Sequence, residues 1–154
     1  MNAISAELKS RETRNKAVVA RYFKEVLDRR NFDVMPEIIA PEVIVHRPGF
    51  VATGLDTVTR NLRARLEDYT EFSSEVTGLM AEGDMVSVRI LHRTRVRPHT
   101  LRSRAGDVEV VRVQELSWEA IVQFRVQDGK IAEEWVMRDE LGMLAQLGKI
   151  VVHP

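Results

Sequence analysis

The chain has 154 residues, a length typical of one domain built round a single hydrophobic core. Hydrophobic residues make up 44% and charged residues 30%, which excludes a disordered chain, and no apolar run approaches the roughly 20 residues that span a bilayer. The 23 basic and 23 acidic side chains balance, which argues against a nucleic-acid-binding surface, and the lack of cysteine excludes disulfides and thiolate chemistry.

The amino terminus is polar, and we expect residues 1–12 to form a flexible tail on a single domain that spans residues 1–154. It lacks the apolar segment of a secretory signal, so a cytoplasmic location is the simplest expectation. From Asn15 to Arg29, apolar residues recur at helical spacing. A second short helix fits Asp33 to Ile39 and is expected to end at Ala40-Pro41, because the residue before proline avoids the α region.

The next segments predict a short strand, a third helix and then a hairpin. Glu42 to His46 fits a strand, and Gly54 precedes a helix with its apolar residues along one stripe. Ser73 to Ala81 and Asp84 to Val96 fit two strands joined at Glu82-Gly83. In the second strand, apolar residues and arginines alternate, which is the pattern of an antiparallel sheet with one buried face.

The last third continues the sheet and ends in a helix. Val108 to Val126 is too long for an ordinary strand, so we expect a bend or a bulge. Asp128-Gly129 predicts a tight turn into a strand from Ile131 to Met137, and Asp139 starts a short helix that Gly148 stops. The pattern predicts an α+β domain whose long curved sheet, packed on one side by helices, forms a cone with a ligand-binding hollow end.

Two segments resemble SnoaL-like polyketide cyclases, a family within the nuclear transport factor 2-like superfamily: NKAVVARYFKEVLDRRNFDVMPEIIAPEVIVHRPG and FRVQDGKIAEEWVMRDELGMLAQLG. The resemblance implies that family's cone, with three N-terminal helices and a short C-terminal helix on a curved antiparallel sheet. It also implies a polyketide or ester cyclase that performs aldol-type acid–base chemistry on a small hydrophobic carbonyl compound, without a metal or organic cofactor.

The resemblance also indicates a catalytic carboxylate. Cyclases of this type use an aspartate near the end of the last strand as acid and base, and the residue in that motif here is Asp139. A helix N-cap is the competing interpretation of Asp139, and the two roles do not exclude each other. On the preceding strand, such enzymes place a histidine or another polar group near the position of Val122, where Glu119 and Gln123 are the nearest polar residues.

Two histidines are candidate partners of this aspartate. His46 ends the first predicted strand near the expected pocket rim, where it could stabilise an enolate oxygen or simply bond to backbone. His92 shares the apolar face of its strand and is either a core residue or an inward-facing catalytic group. His99, in a predicted loop, and His153, in the tail, are expected to be exposed to solvent.

Apolar, aromatic and polar side chains are expected to line the pocket and contact the substrate. The predicted substrate-binding residues are Tyr22, Trp118, Glu119, Val122, Phe124, Trp135 and Met137. Plain core packing explains most of the apolar ones equally well. A metal site formed by His46, His92 and Asp139 is not expected, since their spacing matches no metal-binding motif.

Arginines are concentrated in the middle of the chain, from Arg89 to Arg104. They are interpreted as a solvated strand face balanced by Glu109, Glu115 and Glu119, although one arginine could clamp a substrate carboxylate or ester. The outer sheet face is expected to form a homodimer interface.

Two alternatives to the cyclase remain open at this point. A non-catalytic protein of the same fold would bind a small ligand without reaction. An epoxide hydrolase would need an Asp-Arg-Asp trio, and Arg138-Asp139 suggests one, although adjacent strand residues face opposite ways.

Overall fold

The computed structural model describes residues 3–103 and 106–150. The chain forms, in order, α1 (Ala3–Arg21) with a π-helical continuation (Tyr22–Asp28), a 3-10 turn (Phe32–Val34), α2 (Met35–Ile38), β1 (Ile39–Arg47), β2 (Phe50–Thr53), α3 (Leu55–Glu67), β3 (Tyr69–Glu82), β4 (Met85–Val96), β5 (His99–Ser103), β6 (Gly106–Val110), β7 (Gln114–Gln127), β8 (Lys130–Arg138) and α4 (Glu140–Gln146). The predicted α+β architecture, with three helices before a curved sheet and a short helix after it, is confirmed.

Six strands form the main sheet in the order β2-β1-β8-β7-β4-β3. All neighbours pair antiparallel except β1 and β8, the first and last strands, which lie side by side and run parallel. Register shifts in β3, in the β1–β8 pair and in the β7–β8 pair mark bulges, which bend strands and increase their twist. The hairpin of β5 and β6 is a separate two-stranded sheet.

The core lies between the helices and the inner face of the sheet. The inner residues of β4, which share one face as predicted, are all buried: Val86, Val88, Ile90, His92, Thr94 and Val96. The apolar face of α1 and its π-helical turn packs on them, and Phe23 meets Phe124 of β7 edge to face. In the part of the chain that the structure describes, no helix is long and apolar enough to cross a membrane.

The first helix begins earlier than predicted. Although residues 1–12 were expected to form a flexible tail, α1 starts at Ala3. Two contacts fasten it to the β3–β4 turn: the backbone N–H of Gly83 donates to a Glu12 carboxylate oxygen at 3.1 Å, and the Asn15 side-chain amide donates to the Gly83 carbonyl at 3.2 Å. These two hydrogen bonds hold the second half of α1 against a turn of the sheet.

The segment from Val108 to Val126 was expected to bend, and it is divided into two strands. Residues 111–113 lie between β6 and β7, and β6 pairs with the unpredicted strand β5. His99 was expected in an exposed loop, but it belongs to β5, and its side chain is only 14% exposed beside Asp68. His153 lies outside the described residues.

The arginines of β4 pair with a different strand from the one predicted. Arg93 contacts Glu75 of β3 at 2.6 Å and Arg95 approaches Glu71 of β3 at 3.9 Å, whereas the prediction placed their partners on the opposite neighbour. All four side chains are more than half exposed, so these pairs contribute little to stability.

Candidate functional site

A cavity of about 650 Å³ lies between the sheet, α3 and the β5–β6 hairpin. That volume falls within the range of small-molecule sites. Part of its wall is apolar, built by Val45, Ala52, Val58, Leu62 and Val136. The exposed ring of Phe50 and the β5 residues from His99 to Ser103 also line it. The predicted hollow end of the cone is therefore present as an open cavity.

Deeper in the domain is a small pocket of about 30 Å³, lined in part by Phe72, His92, Trp118 and Val122. Six residues line both this pocket and the large cavity: Tyr22, Arg47, Arg65, Glu134, Val136 and Arg138. Five of these six carry polar or charged side chains. The inner end of the cavity is therefore lined by a cluster of polar side chains that lies against an aromatic wall.

Glu134 is the buried carboxylate of this group, with 5% of its surface exposed. It lies on β8 directly beside Val45 of β1, and Arg47, two residues further along β1, donates from Nη2 to Glu134 Oε1 at 3.5 Å. Tyr22, 3% exposed, faces the same carboxylate. Burial, and then the negative charge of Glu134, raise the pKa of the Tyr22 phenol, so its hydroxyl remains a proton donor.

A bulge in β8 decides which of its residues face the cavity. Both Ile131 and Glu134 are buried, although a regular strand would turn positions 131 and 134 to opposite faces. The β7–β8 register shifts between these two positions. From Glu134 onward, even-numbered residues face inward. Trp135 and Met137 consequently lie on the outer face, and Met137 is 65% exposed.

His92 lies on the inner face of β4 among aromatic rings, and its ring centroid lies 5.1 Å from that of Phe72 and 5.2 Å from that of Trp118. Its Nδ1 shares a hydrogen bond of 3.1 Å with the Ser74 hydroxyl. Burial, and then the positive charges of Arg65 and Arg47, lower the pKa of His92 to about 3. The imidazole is therefore neutral at pH 7 and is able to accept or donate a hydrogen bond without carrying charge.

Asp139 caps α4. Its Oδ1 accepts a hydrogen bond from the backbone N–H of Gly142 at 2.8 Å, and its side chain is exposed. Its neighbours Arg138 and Glu140 line the cavity, while Asp139 itself does not. Asp139 therefore has the geometry of an N-cap. Its carboxylate is not among the side chains that line the cavity near Glu134.

His46 lies on the outer face of the sheet. Its ring stacks on Trp135 with centroids 5.3 Å apart, and its Nε2 lies 2.8 Å from a carboxylate oxygen of Glu133. Glu119 is exposed on the outer face of β7, opposite Leu91 of β4. His46, Trp135, Met137 and Glu119 therefore share the outer surface rather than the cavity wall, and Phe124 is wholly buried in the core.

Of the predicted site residues, the structure brings together Tyr22, His92, Trp118 and Val122. It does not bring His46, His92 and Asp139 together. Within residues 3–103 and 106–150, no cluster of three or more histidine and acidic side chains could hold a metal ion.

The charged residues Arg47, Arg65 and Glu134 were not predicted. One signal was available for Arg47. It follows Val43 and Val45 at two-residue spacing, and both of those valines are buried. That period places Arg47 on the inner face and His46 on the outer one. Nothing in the local pattern of β8 marks its bulge, so Glu134 could not be assigned a face.

Comparison with solved structures shows the fold. A SnoaL-like polyketide cyclase from Agrobacterium tumefaciens superimposes with a TM-score of 0.70 at 16% identity, covering 87% of this chain and 98% of the other. AclR from Streptomyces galilaeus gives 0.73 at 19% identity over 91% and 99% of the two chains. An LEH-like epoxide hydrolase from Mycobacterium tuberculosis gives 0.70 at 17% identity over 90% and 92%.

No curated protein matches the chain. The model of the SnoaL-like polyketide cyclase family matches residues 17–147, which include every element from α1 to α4 at least in part. The chain therefore belongs to the SnoaL-like polyketide cyclase family.

Proposed function

We propose that the protein is a cofactor-independent enzyme that performs aldol-type acid–base chemistry on a small hydrophobic carbonyl compound bound in the large cavity. The single observation that carries this proposal is Glu134, a buried carboxylate that lies beside a phenol and a guanidinium on the cavity wall. A carboxylate held in such a site is suited to remove a proton from carbon next to a carbonyl.

In the proposed reaction, Glu134 takes the proton and the substrate becomes an enolate. The enolate carbon attacks a second carbonyl carbon of the same molecule and closes the ring, and the protonated Glu134 returns its proton to the new alkoxide. Tyr22, which keeps its proton, and Arg47 supply hydrogen-bond donors for the developing oxyanion. His92, neutral and buried, is a further hydrogen-bonding group at the deep end.

Asp139 remains the alternative carboxylate, as the family resemblance implies. It would have to release the Gly142 N–H and turn toward the cavity to take part. Glu134 needs no such movement, and for this reason we assign it the acid–base role.

Epoxide hydrolysis by an Asp-Arg-Asp trio has less support, despite the structural likeness to an LEH-like epoxide hydrolase. Arg138 lines the cavity whereas Asp139 does not, in keeping with the opposite facing of adjacent strand residues. Among the described residues that line both pockets, Glu134 is the one carboxylate, so the second acid of a trio lies elsewhere.

We also propose that the outer face of the sheet pairs with a second copy of the chain. Ile121 and Met137 are direct neighbours on β7 and β8, and they are 57% and 65% exposed. Beside them lies the stack of Trp135 on His46. Exposed apolar side chains grouped on one sheet face are typical of an interface.

The test of the catalytic proposal is deuterium exchange at the acidic carbon of a series of cyclisable β-keto esters, followed by NMR against the rate in buffer alone. Wild type is expected to accelerate exchange, and Glu134→Gln is expected to reduce the acceleration by about a hundredfold or more. Binding of the esters without any acceleration would instead support a non-catalytic ligand-binding protein.

A further inference from the structure

Positive charge is in excess at the inner end of the cavity. The residues that line both pockets include three arginines and one carboxylate, and Glu140 on the wall of the large cavity pairs with Arg138. Together these side chains sum to one positive charge, and Arg65 is the arginine without a carboxylate partner among them. The only other titratable groups among those six residues and their aromatic wall are Tyr22 and His92, and both are neutral at pH 7.

The three arginines differ in how well they are paired. Arg47 reaches Glu134 at 3.5 Å, and Arg138 reaches Glu140 at 3.8 Å, which are both long for ion pairs. Arg65 of α3 has no carboxylate within 4.0 Å in the part of the chain that the structure describes. Arg65 is partly buried, so water does not fully screen it.

The neighbouring groups respond to this excess charge. Burial, and then the positive charge of Arg65, lower the pKa of Arg47 to about 10. The same two arginines contribute to the lowered pKa of His92. A buried positive field of this kind costs folding free energy unless an anion occupies the site.

We propose that the ligand of this cavity carries a carboxylate, which Arg65 and Arg138 bind, while its apolar body lies against Val45, Val58 and Leu62. Guanidinium groups match a carboxylate in charge and bidentate geometry. The substrate class is thus a hydrophobic ketone or ester that also carries a carboxylate. The inference rests on the proposed function in taking this cavity as the substrate site, and it assigns Arg65 to binding and Glu134 to chemistry.

The experiment compares two probes of nearly equal shape, 1-naphthylacetate and its neutral amide, by calorimetric titration of the full chain at low ionic strength. For wild type, the acid is expected to bind about tenfold more tightly than the amide. Arg65→Gln is expected to weaken acid binding until the two probes bind about equally. Arg60→Gln, which removes an exposed arginine of the same helix outside the cavity, is the matched control and is expected to keep the preference.

Glu134→Gln provides an independent measurement. Removing the one carboxylate shared by the two pockets is expected to tighten acid binding and leave amide binding unchanged. Equal affinities of wild type for the two probes, or no detectable binding of the acid, would overturn the inference. An acid preference that survives Arg65→Gln, or one that Arg60→Gln abolishes equally, would do so as well.

The two proposals fail in different ways. If acid preference and its dependence on Arg65 are found but no exchange is accelerated, the carboxylate site stands and the catalytic proposal falls. If neutral esters exchange rapidly while the acid shows no preference, the catalytic proposal stands and the carboxylate site falls.

Discussion

Lowering the pH should destabilise the protein through His92. In the unfolded chain a histidine has a pKa of about 6.5, whereas burial and then Arg65 and Arg47 lower the folded-state value to about 3. Between these values the unfolded state binds a proton that the native state does not. The contribution of His92 to stability is therefore intact above pH 6.5 and is lost progressively as the pH falls toward 3.

The magnitude follows from the difference between the two pKa values. At pH 5, about 1.5 units below the unfolded pKa and still above the folded one, the loss is about 2 kcal/mol at 1.36 kcal/mol per unit. That is a large share of the 5–15 kcal/mol typical of a domain of this size, so it should be visible as a lower urea midpoint.

The assay is urea unfolding of wild type and His92→Asn from pH 8 to pH 5. The substituted amide preserves a hydrogen-bonding group near Ser74 but cannot be protonated in this range. Lost packing shifts the variant's curve by a constant amount, so the quantity to compare is the change with pH. From pH 8 to pH 5, the free energy of unfolding should fall by about 2 kcal/mol more for wild type than for the variant. Parallel curves of this free energy against pH would refute the conclusion that His92 is buried in its neutral form.

Two further pairs of substitutions test separate features. Asp139→Ala should lower the free energy of unfolding by about 1 kcal/mol in urea titration because the cap of α4 is lost, while Asp139→Asn should stay near wild type; equal losses in both would contradict the cap. Ile121→Glu should convert a dimer to a monomer in analytical ultracentrifugation, because it charges the centre of the outer face, while Leu8→Glu on α1 should leave the dimer intact. A monomeric wild type would contradict the proposed interface.

The sequence predicted the fold well because its strongest patterns are regular. The alternation in β4 placed His92 inward, and the helical stripe from Asn15 to Arg29 placed Tyr22 inward. Both residues are buried, as those faces require. Asp128-Gly129 fixed the β7–β8 turn, where Asp128 and Gly129 both adopt positive φ. These features depend on local spacing alone.

The site was less predictable because it depends on irregularities. The bulge near Ala132 reverses the faces of β8, so Trp135 and Met137 lie outside and Glu134 lies inside. In a regular strand without the bulge, Ile131 and the odd-numbered residues after it would all have faced the cavity. One extra residue in β8 thus reverses which of the following side chains face the cavity and which face outward. The amino-acid composition of the strand does not reveal this residue.

The arginines of the cavity come together only through tertiary structure. Arg47 is on β1, Arg65 on α3 and Arg138 at the end of β8, and their positions in the chain are far apart. The sequence drew attention instead to the arginines of β4, of which Arg93 and Arg95 pair with exposed glutamates of β3. Arginines that are close together in the sequence therefore lie on the solvated face, while the arginines of the site are far apart in the sequence.

The most direct test of the central claim is a side-by-side comparison of Glu134→Gln and Asp139→Asn in the deuterium-exchange assay. Each change removes one carboxylate and keeps its size, and the asparagine introduced by the second change is still able to cap α4. The expected result is that Glu134→Gln abolishes the acceleration over buffer while Asp139→Asn keeps it within about a factor of three. Full activity in Glu134→Gln together with loss of activity in Asp139→Asn would contradict the assignment and return the acid–base role to Asp139.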